Sequence, residues 1–273
     1  MISIFKDILV SEQSSIPFGR KVSEEDIVIS KFFYGKAAPS DKILFLCSDT
    51  NGPVCLIKIL RDSAFNRKLK HERDGQLFGL REVGMMQVPK IYLEGEIGDF
   101  FFYVEEVING GTVGKRRAHK HIPAVLAYQN EVPKGARLPA ATLARLVRTL
   151  HVSDIEIREC SAVLESLPHI TLHTARSHGD LTHMNLLESQ DGDLYLIDWE
   201  RWDERNIWGA DLAHYLIRSS KKPDKKSYDE KIKRYVGNIE VWSALYYVDR
   251  IFDSLRKNYA PAYETLVREL KTL

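Results

Sequence analysis

Ser177-His178-Gly179-Asp180-Leu181-Thr182-His183-Met184-Asn185-Leu186-Leu187, then Glu188-Ser189-Gln190-Asp191-Gly192-Asp193 and Leu194-Tyr195-Leu196-Ile197-Asp198-Trp199-Glu200, is the stretch whose reading decides the fold. It predicts a loop, a strand, a tight turn and a second strand. Asp191-Gly192 is a strong two-residue hairpin signal, because both positions tolerate positive φ. A turn centred between 191 and 192 pairs residues whose numbers add to 383, which sets Asn185 opposite Asp198. Directly opposed side chains on one sheet face lie about 4.5–5.5 Å apart at Cβ. An amide oxygen and a carboxylate at that spacing can share one hard cation, and Mg²⁺ takes oxygen ligands. Asp180 stands just upstream, in a loop close enough to serve the same site.

The order His-x-Asp-x-x-x-x-Asn, followed by an apolar strand ending in Asp, resembles the phosphoryl-transfer pattern of kinases. It is most similar to the kinase-like small-molecule phosphotransferases, the aminoglycoside phosphotransferase and choline kinase family. His178-Gly179-Asp180 looks like that family's His-Gly-Asp, and Ile197-Asp198-Trp199-Glu200 like its version of Asp-Phe-Gly. The resemblance implies an α+β, two-lobed protein-kinase-like fold. Residues 1–107 would form a small antiparallel-sheet lobe that binds nucleotide, and residues 108–273 a larger, mostly helical lobe for catalysis and the acceptor. It also implies ATP as donor, Mg²⁺ held by Asn185 and Asp198, and a small-molecule hydroxyl as acceptor, with Asp180 at that hydroxyl. His178 would support the loop rather than react. The alternative from another class is a catalytically weak, nucleotide-binding pseudokinase acting as an interaction module. No Ala-Pro-Glu follows Asp198, and the interval before Asp211 is short for an activation loop, which argues against a protein substrate.

Composition is consistent with this reading. A chain of 273 residues with 44% hydrophobic and 28% charged content is an ordinary globular length and mix. A net charge of +1 provides no global field toward nucleic acid or membrane. The three cysteines, Cys47, Cys55 and Cys160, have neither zinc nor disulfide-scaffold spacing and suit a reducing cytoplasm. No stretch of about 18–20 apolar residues spans a bilayer, and the N-terminus does not read as a secretory signal.

Around the motif, β-branched and aromatic runs at 27–34, 42–47 and 53–60 predict three strands, with Asp49-Thr50-Asn51-Gly52 turning between the last two. Lys58 in the third strand is either an outward lysine or, as the resemblance implies, the one that neutralises nucleotide phosphates. Residues 67–78 have helical character, and a glutamate there would pair with that lysine; Glu72 is the candidate, with Asp74 and Glu82 as rivals. The loop at 34–41 lacks a Gly-x-Gly-x-x-Gly, so its backbone and the Ser40 hydroxyl are the phosphate contacts available, or it is a plain hairpin loop. Strands at 91–95 and 100–107 complete five. Glu105 to Ile108, Val107 included, fit the hinge where kinases hold adenine by backbone hydrogen bonds. Residues 114–121 form a basic run, either a solvated face or a lure for an anionic substrate. Leu143, Leu146, Val147 and Leu150 set a helix. Asp211 caps a later helix or, by the resemblance, braces the catalytic loop. Glu200, Trp202, Asp203 and Trp208 either line an acceptor site for a cation or pack the core.

Overall fold

The structure is a computed structural model that describes residues 1–18, 21–34, 38, 40–82, 86–220, 224–236 and 239–272. In chain order the elements are α1 (Ile2–Ser11), β1 (Val28–Tyr34), β2 (Lys42–Asp49), β3 (Gly52–Leu60), α2 (Asn66–Glu82), β4 (Ile91–Ile97) and β5 (Phe100–Glu106). There follow β6 (Gly110–Thr112), α3 (Ile122–Glu131), β7 (Arg137–Pro139), α4 (Ala140–Thr149), α5 (Ile155–Glu165) and β8 (Thr171–Ser177). The chain ends with β9 (Leu186–Ser189), β10 (Leu194–Leu196), β11 (Asp203–Ile207), α6 (Ala210–Arg218), α7 (Lys225–Tyr235), α8 (Ile239–Asn258) and α9 (Ala260–Thr272). They divide into two compact units, and the division is not a single cut. The first comprises Met1–Arg81, Gln87–Gly111 and Ser189–Glu200; the second comprises Glu82–Met86, Thr112–Glu188 and Arg201–Leu273.

In the first unit, five antiparallel strands run in the order β1-β2-β3-β5-β4. Side chains alternate between faces along a strand, so the register assigns each residue a side. Phe45, Cys47, Ile57, Ile59, Phe102 and Val104 point to one face and pack with Phe5 and Leu9 of α1. The Phe5 ring meets Phe45 at 5.1 Å and Phe102 at 5.4 Å. Each such side chain, once fully buried, contributes about 1.5–3 kcal/mol. On the other face Leu60, Phe101 and Tyr103 pack with Leu69 of α2. Lys42, Lys58 and Glu105 share that face by the same register. The cysteines are free and buried, with Cys47 and Cys55 paired across β2 and β3.

The second unit is mostly helical. α4 buries Leu143 and Val147 of the predicted stripe together with Ala144, while Leu146 is half-buried and Leu150 lies just past the helix end. α8 buries Leu245, Val248, Ile251, Phe252 and Leu255 along its length. A small sheet, β11-β8-β7, carries β8 in its centre. Neither β8 nor β11 is anticipated by the hydrophobic pattern. β8 buries Thr174 and Ser177, which hides the alternation. β11 reads Asp-Glu-Arg-Asn-Ile and is held by its pairing with β8, where Asn206 Nδ2 donates to Ser177 Oγ at 2.9 Å. Among the described residues no helix is long and apolar enough to cross a membrane.

The hairpin register requires a correction. Ser189 N donates to Asp193 O at 2.9 Å and Gly192 N to Ser189 O at 3.1 Å. The loop therefore has three residues, Gln190-Asp191-Gly192, with Gly192 at φ 88° in the left-handed position. This is the type I turn plus bulge rather than the two-residue turn. Counted from the closing pair Ser189 and Asp193, opposed residue numbers add to 382, and Asn185 is formally matched with Ile197. β10 stops at Leu196, and Asp198 has left the strand at φ 64°. Cross-strand pairing thus does not set Asn185 against Asp198.

Candidate active site

In the first unit, the sheet register and one helix stripe assemble a buried charge cluster. Leu69, Glu72 and Gln76 fall at helical spacing on the buried side of α2, so the stripe that meets the sheet is largely polar. Lys58 Nζ lies 3.0 Å from Glu72 Oε1 and 2.9 Å from Glu105 Oε1. Tyr103 OH donates to Glu72 Oε1 at 3.1 Å. Lys42 Nζ lies 2.9 Å from Glu72 Oε2, 2.7 Å from Asp198 Oδ1 and 3.5 Å from Glu200 Oε2. Burial alone would lower both lysine pKa values. Glu72 and Asp198 around Lys42, and Glu105 and Glu72 around Lys58, outweigh it and raise both. Burial would likewise raise the Glu72 carboxyl, but Lys58 and Lys42 hold it down at about 2.

Two lysines face four carboxylates, so the cluster retains excess negative charge even with Lys68 at 3.6 Å from Glu200. Glu72, Asp198 and Glu200 each present an oxygen within 4.8 Å of the others. Hard oxygen donors at that spacing fit Mg²⁺. Asp198 is one of two non-glycine residues with positive φ among those described, a conformation asparagine and aspartate adopt more readily than bulkier residues. Trp199, the next residue, is fully buried beside Phe78 of α2, and a Cβ on Gly79 would come within 2.5 Å of its indole.

The second unit carries the loop after β8. Asp211 is the second residue of α6 and is buried. Its carboxylate accepts from His178 N at 2.7 Å, Gly179 N at 2.9 Å and Tyr128 OH at 3.0 Å. Gly179 has φ 79°, and a Cβ there would come within 2.0 Å of the Arg201 carbonyl oxygen, so no other residue fits. His178 is fully buried, and its Nδ1 accepts from Asp180 N at 3.3 Å. Asn185 Nδ2 donates to Asp180 O at 2.8 Å, which leaves the amide oxygen free among the described residues. Asp180 Oδ1 lies 3.3 Å from His214 Nε2 and 3.5 Å from Arg201 Nη1. His214 Nδ1 lies 2.7 Å from Asp249 Oδ1. Burial would lower the His214 pKa, but Asp180 and Asp249 raise it to about 9. Burial would raise Asp180, and His214 and Arg201 bring it below its usual value.

Asp211→Ala is expected to destabilise the protein by about 3 kcal/mol or more, because two buried N–H groups and a buried phenol lose their acceptor together. Denaturant unfolding measures this directly. A change under about 0.5 kcal/mol, the range of a neutral surface substitution, would mean that the three hydrogen bonds do not hold the loop.

No protein-family model matches the sequence, and no curated relative matches it. Solved structures do. Choline kinase LicA from Streptococcus pneumoniae is similar over 99% of this chain and 99% of its own, at 17% identity and a TM-score of 0.54. APH(2")-IIia in its GDP and kanamycin complex matches 91% of this chain and 94% of its own, at 12% identity and a TM-score of 0.56. Macrolide 2'-phosphotransferase MphH from Brachybacterium faecium covers 100% and 98%, at 10% identity and a TM-score of 0.56. The fold is that of the protein-kinase-like phosphotransferases.

Within this kinase-like fold, the sequence-predicted residues divide between the units. Lys58, Glu72, Glu105 and Asp198 meet in the first. Asp180 and Asn185 belong to the second. Glu105 enters through its side chain; its backbone lies within β5, between β3 and β4, rather than in a connecting segment. Val107 is the first residue past β5. Among the described residues Ser40 joins no cluster; beside it, Asp41 Oδ2 accepts from Ala38 N at 2.8 Å. Residues 35–37 and 39 of that loop lie outside the described residues. Of the rivals to Glu72, Asp74 is exposed on Arg73, and the Glu82 side chain lies outside those described.

Of the aromatic and acidic set after Asp198, Glu200 belongs to the first unit and Trp202, Asp203 and Trp208 to the second. Glu200 faces Lys42 in the first unit, while in the second Trp208 packs on Trp242 at 5.2 Å under Lys134. Sequence reasoning missed Lys42, Arg201, His214 and Asp249. Lys42 stands opposite Leu60 and Leu44 opposite Lys58, one face for all four, but only because a bulge between Cys47 and Ser48 shifts the register by one; the turn at 49–52 alone would match Lys42 with Ile59, on the other face. His214 is three residues, one helical turn, past Asp211. Arg201 and Asp249 carry no local signal.

Proposed function

We propose that the protein is an ATP-dependent phosphotransferase that moves the γ-phosphoryl group to a hydroxyl of a small molecule. The observation that supports it most is the Lys42–Glu72–Lys58–Glu105 network with Asp198 at its edge, in a chain of kinase-like fold. Lys58 and Lys42 neutralise the phosphates, and Glu72 aims both ammonium groups. Asp198, with Asn185 by the order of the motif, would hold Mg²⁺. When bound, that ion offsets charge on the phosphates. Asp180 orients the acceptor hydroxyl. Its depressed pKa favours this over strong general-base action, and a loose phosphoryl-transfer transition state asks for little more. Three free, buried thiols support a reducing, cytoplasmic setting as part of the same reading.

One observation favours a second reading. The Lys42 ammonium lies 2.7 Å from Asp198, where a metal would compete with it, as expected of a nucleotide-binding pseudokinase with weak turnover. One experiment separates the two. ADP or GDP release is followed with ATP or GTP, Mg²⁺, and a panel of amino alcohols, aminoglycosides, macrolides and sugars, beside nucleotide-induced thermal shifts. Acceptor-dependent release is expected. A nucleotide shift without release would overturn the transferase reading, and neither would overturn both.

A further inference from the structure

The second unit holds a cavity that the proposed chemistry does not use. It is open to solvent and has a volume of about 480 Å³, within the range of small-molecule sites. The basic turn after β6 supplies Lys115, Arg116 and His119, and α7 supplies Lys231 and Arg234. Glu230 is the one acid in its wall among the described residues, beside three serine hydroxyls. None of the four Lys and Arg side chains forms an ion pair with a carboxylate among the described residues. Lys231 Nζ rests on neutral oxygens, Ser220 Oγ at 2.7 Å and Leu216 O at 3.3 Å. Its pKa is lowered, first by burial and then by the charge of Lys115. The same basic turn is tied to the strand that leaves the catalytic loop: just before it Val113 N donates to Leu186 O at 2.9 Å, and within it Arg117 Nη1 lies 3.2 Å from Glu188 Oε2.

These observations describe uncompensated positive charge in a concave site, part of it on a turn tied to the strand that follows the loop of Asp180. An ammonium-bearing acceptor would be repelled from it. We propose that this cavity seats an oxyanion (phosphate, sulfate or carboxylate) carried by the acceptor, so that the substrate class is an anionic hydroxyl compound. This rests on the phosphotransferase reading for the word acceptor; the anion site itself does not. Concavity and a net charge of only +1 favour a small molecule over an extended polyanion.

The test titrates the full chain with inorganic phosphate, without nucleotide, by calorimetry. Wild type is expected to saturate. Lys231→Gln with Arg234→Gln is expected to weaken binding at least about tenfold, the loss of one or more charge-assisted hydrogen bonds. Arg234→Lys should retain most of it. Absence of saturable binding overturns the proposal. So does binding that survives the double substitution, which would assign the phosphate to Lys42 and Lys58 instead. Should the double variant melt early, Arg116→Gln on the exposed turn replaces it under the same criteria. Acceptors matched in skeleton but bearing a phosphate, carboxylate, neutral or ammonium group are then compared by ADP release. Preference for the anionic members is expected, and equal or better use of the others overturns the substrate class. Phosphate binding lost in the double variant, with no ADP release from any member, would overturn the phosphotransferase reading and leave the anion site standing.

Discussion

Replacing Asp180 by asparagine is expected to slow phosphoryl transfer by about 10²-fold, the cost of a misplaced reacting group, with nucleotide affinity unchanged. The substitution keeps shape and removes charge. Asp180 lies between His214 and Arg201, and its carboxylate is held ionised by both. An amide there accepts a weaker hydrogen bond from the acceptor hydroxyl. It also removes one of the two carboxylates that hold the His214 pKa at about 9, so that value should fall in the variant. Single-turnover kinetics with saturating nucleotide read the first effect, and NMR titration of His214 reads the second. A variant that turned over like wild type would take Asp180 out of the chemistry.

Asp198→Ala is expected to abolish Mg²⁺-dependent turnover and the Mg²⁺-dependent part of nucleotide binding. Lys42 keeps Glu72 at 2.9 Å and Glu200 at 3.5 Å, so the buried ammonium is not stranded. The loss of stability should therefore be smaller than for Asp211→Ala, which takes the carboxylate acceptor from three buried donors at once. Thermal melts with nucleotide, with and without Mg²⁺, separate metal from fold. Wild-type Mg²⁺ dependence in the variant would refute the assignment.

The first unit is highly legible because its strands obey simple alternation. β1 to β5 and α2 all lie where β-branched runs, turn residues and helical spacing put them. Lys58 and Glu72 follow from that frame. The hairpin register was less legible. Asp191-Gly192 is compatible with either of two loop lengths, and the left-handed Gly192 serves both, so one residue of slip was decided by the bulge. β8 and β11 were hidden by buried polar residues that find partners only in three dimensions. His214 and Asp249 come from different helices, α6 and α8, and no spacing in one sequence joins them.

The glycine at 79 has a consequence for how the first unit can change. The Trp199 indole leaves no room there for even one methyl group, and the same indole follows directly on Asp198. The helix that carries Glu72 and the turn that carries Asp198 are thus geared together where Trp199 seats on Gly79 and Phe78. Any wedge at that point would misalign Glu72 and Asp198 around Lys42 at once, so drift in this part of the chain must be concerted rather than piecemeal.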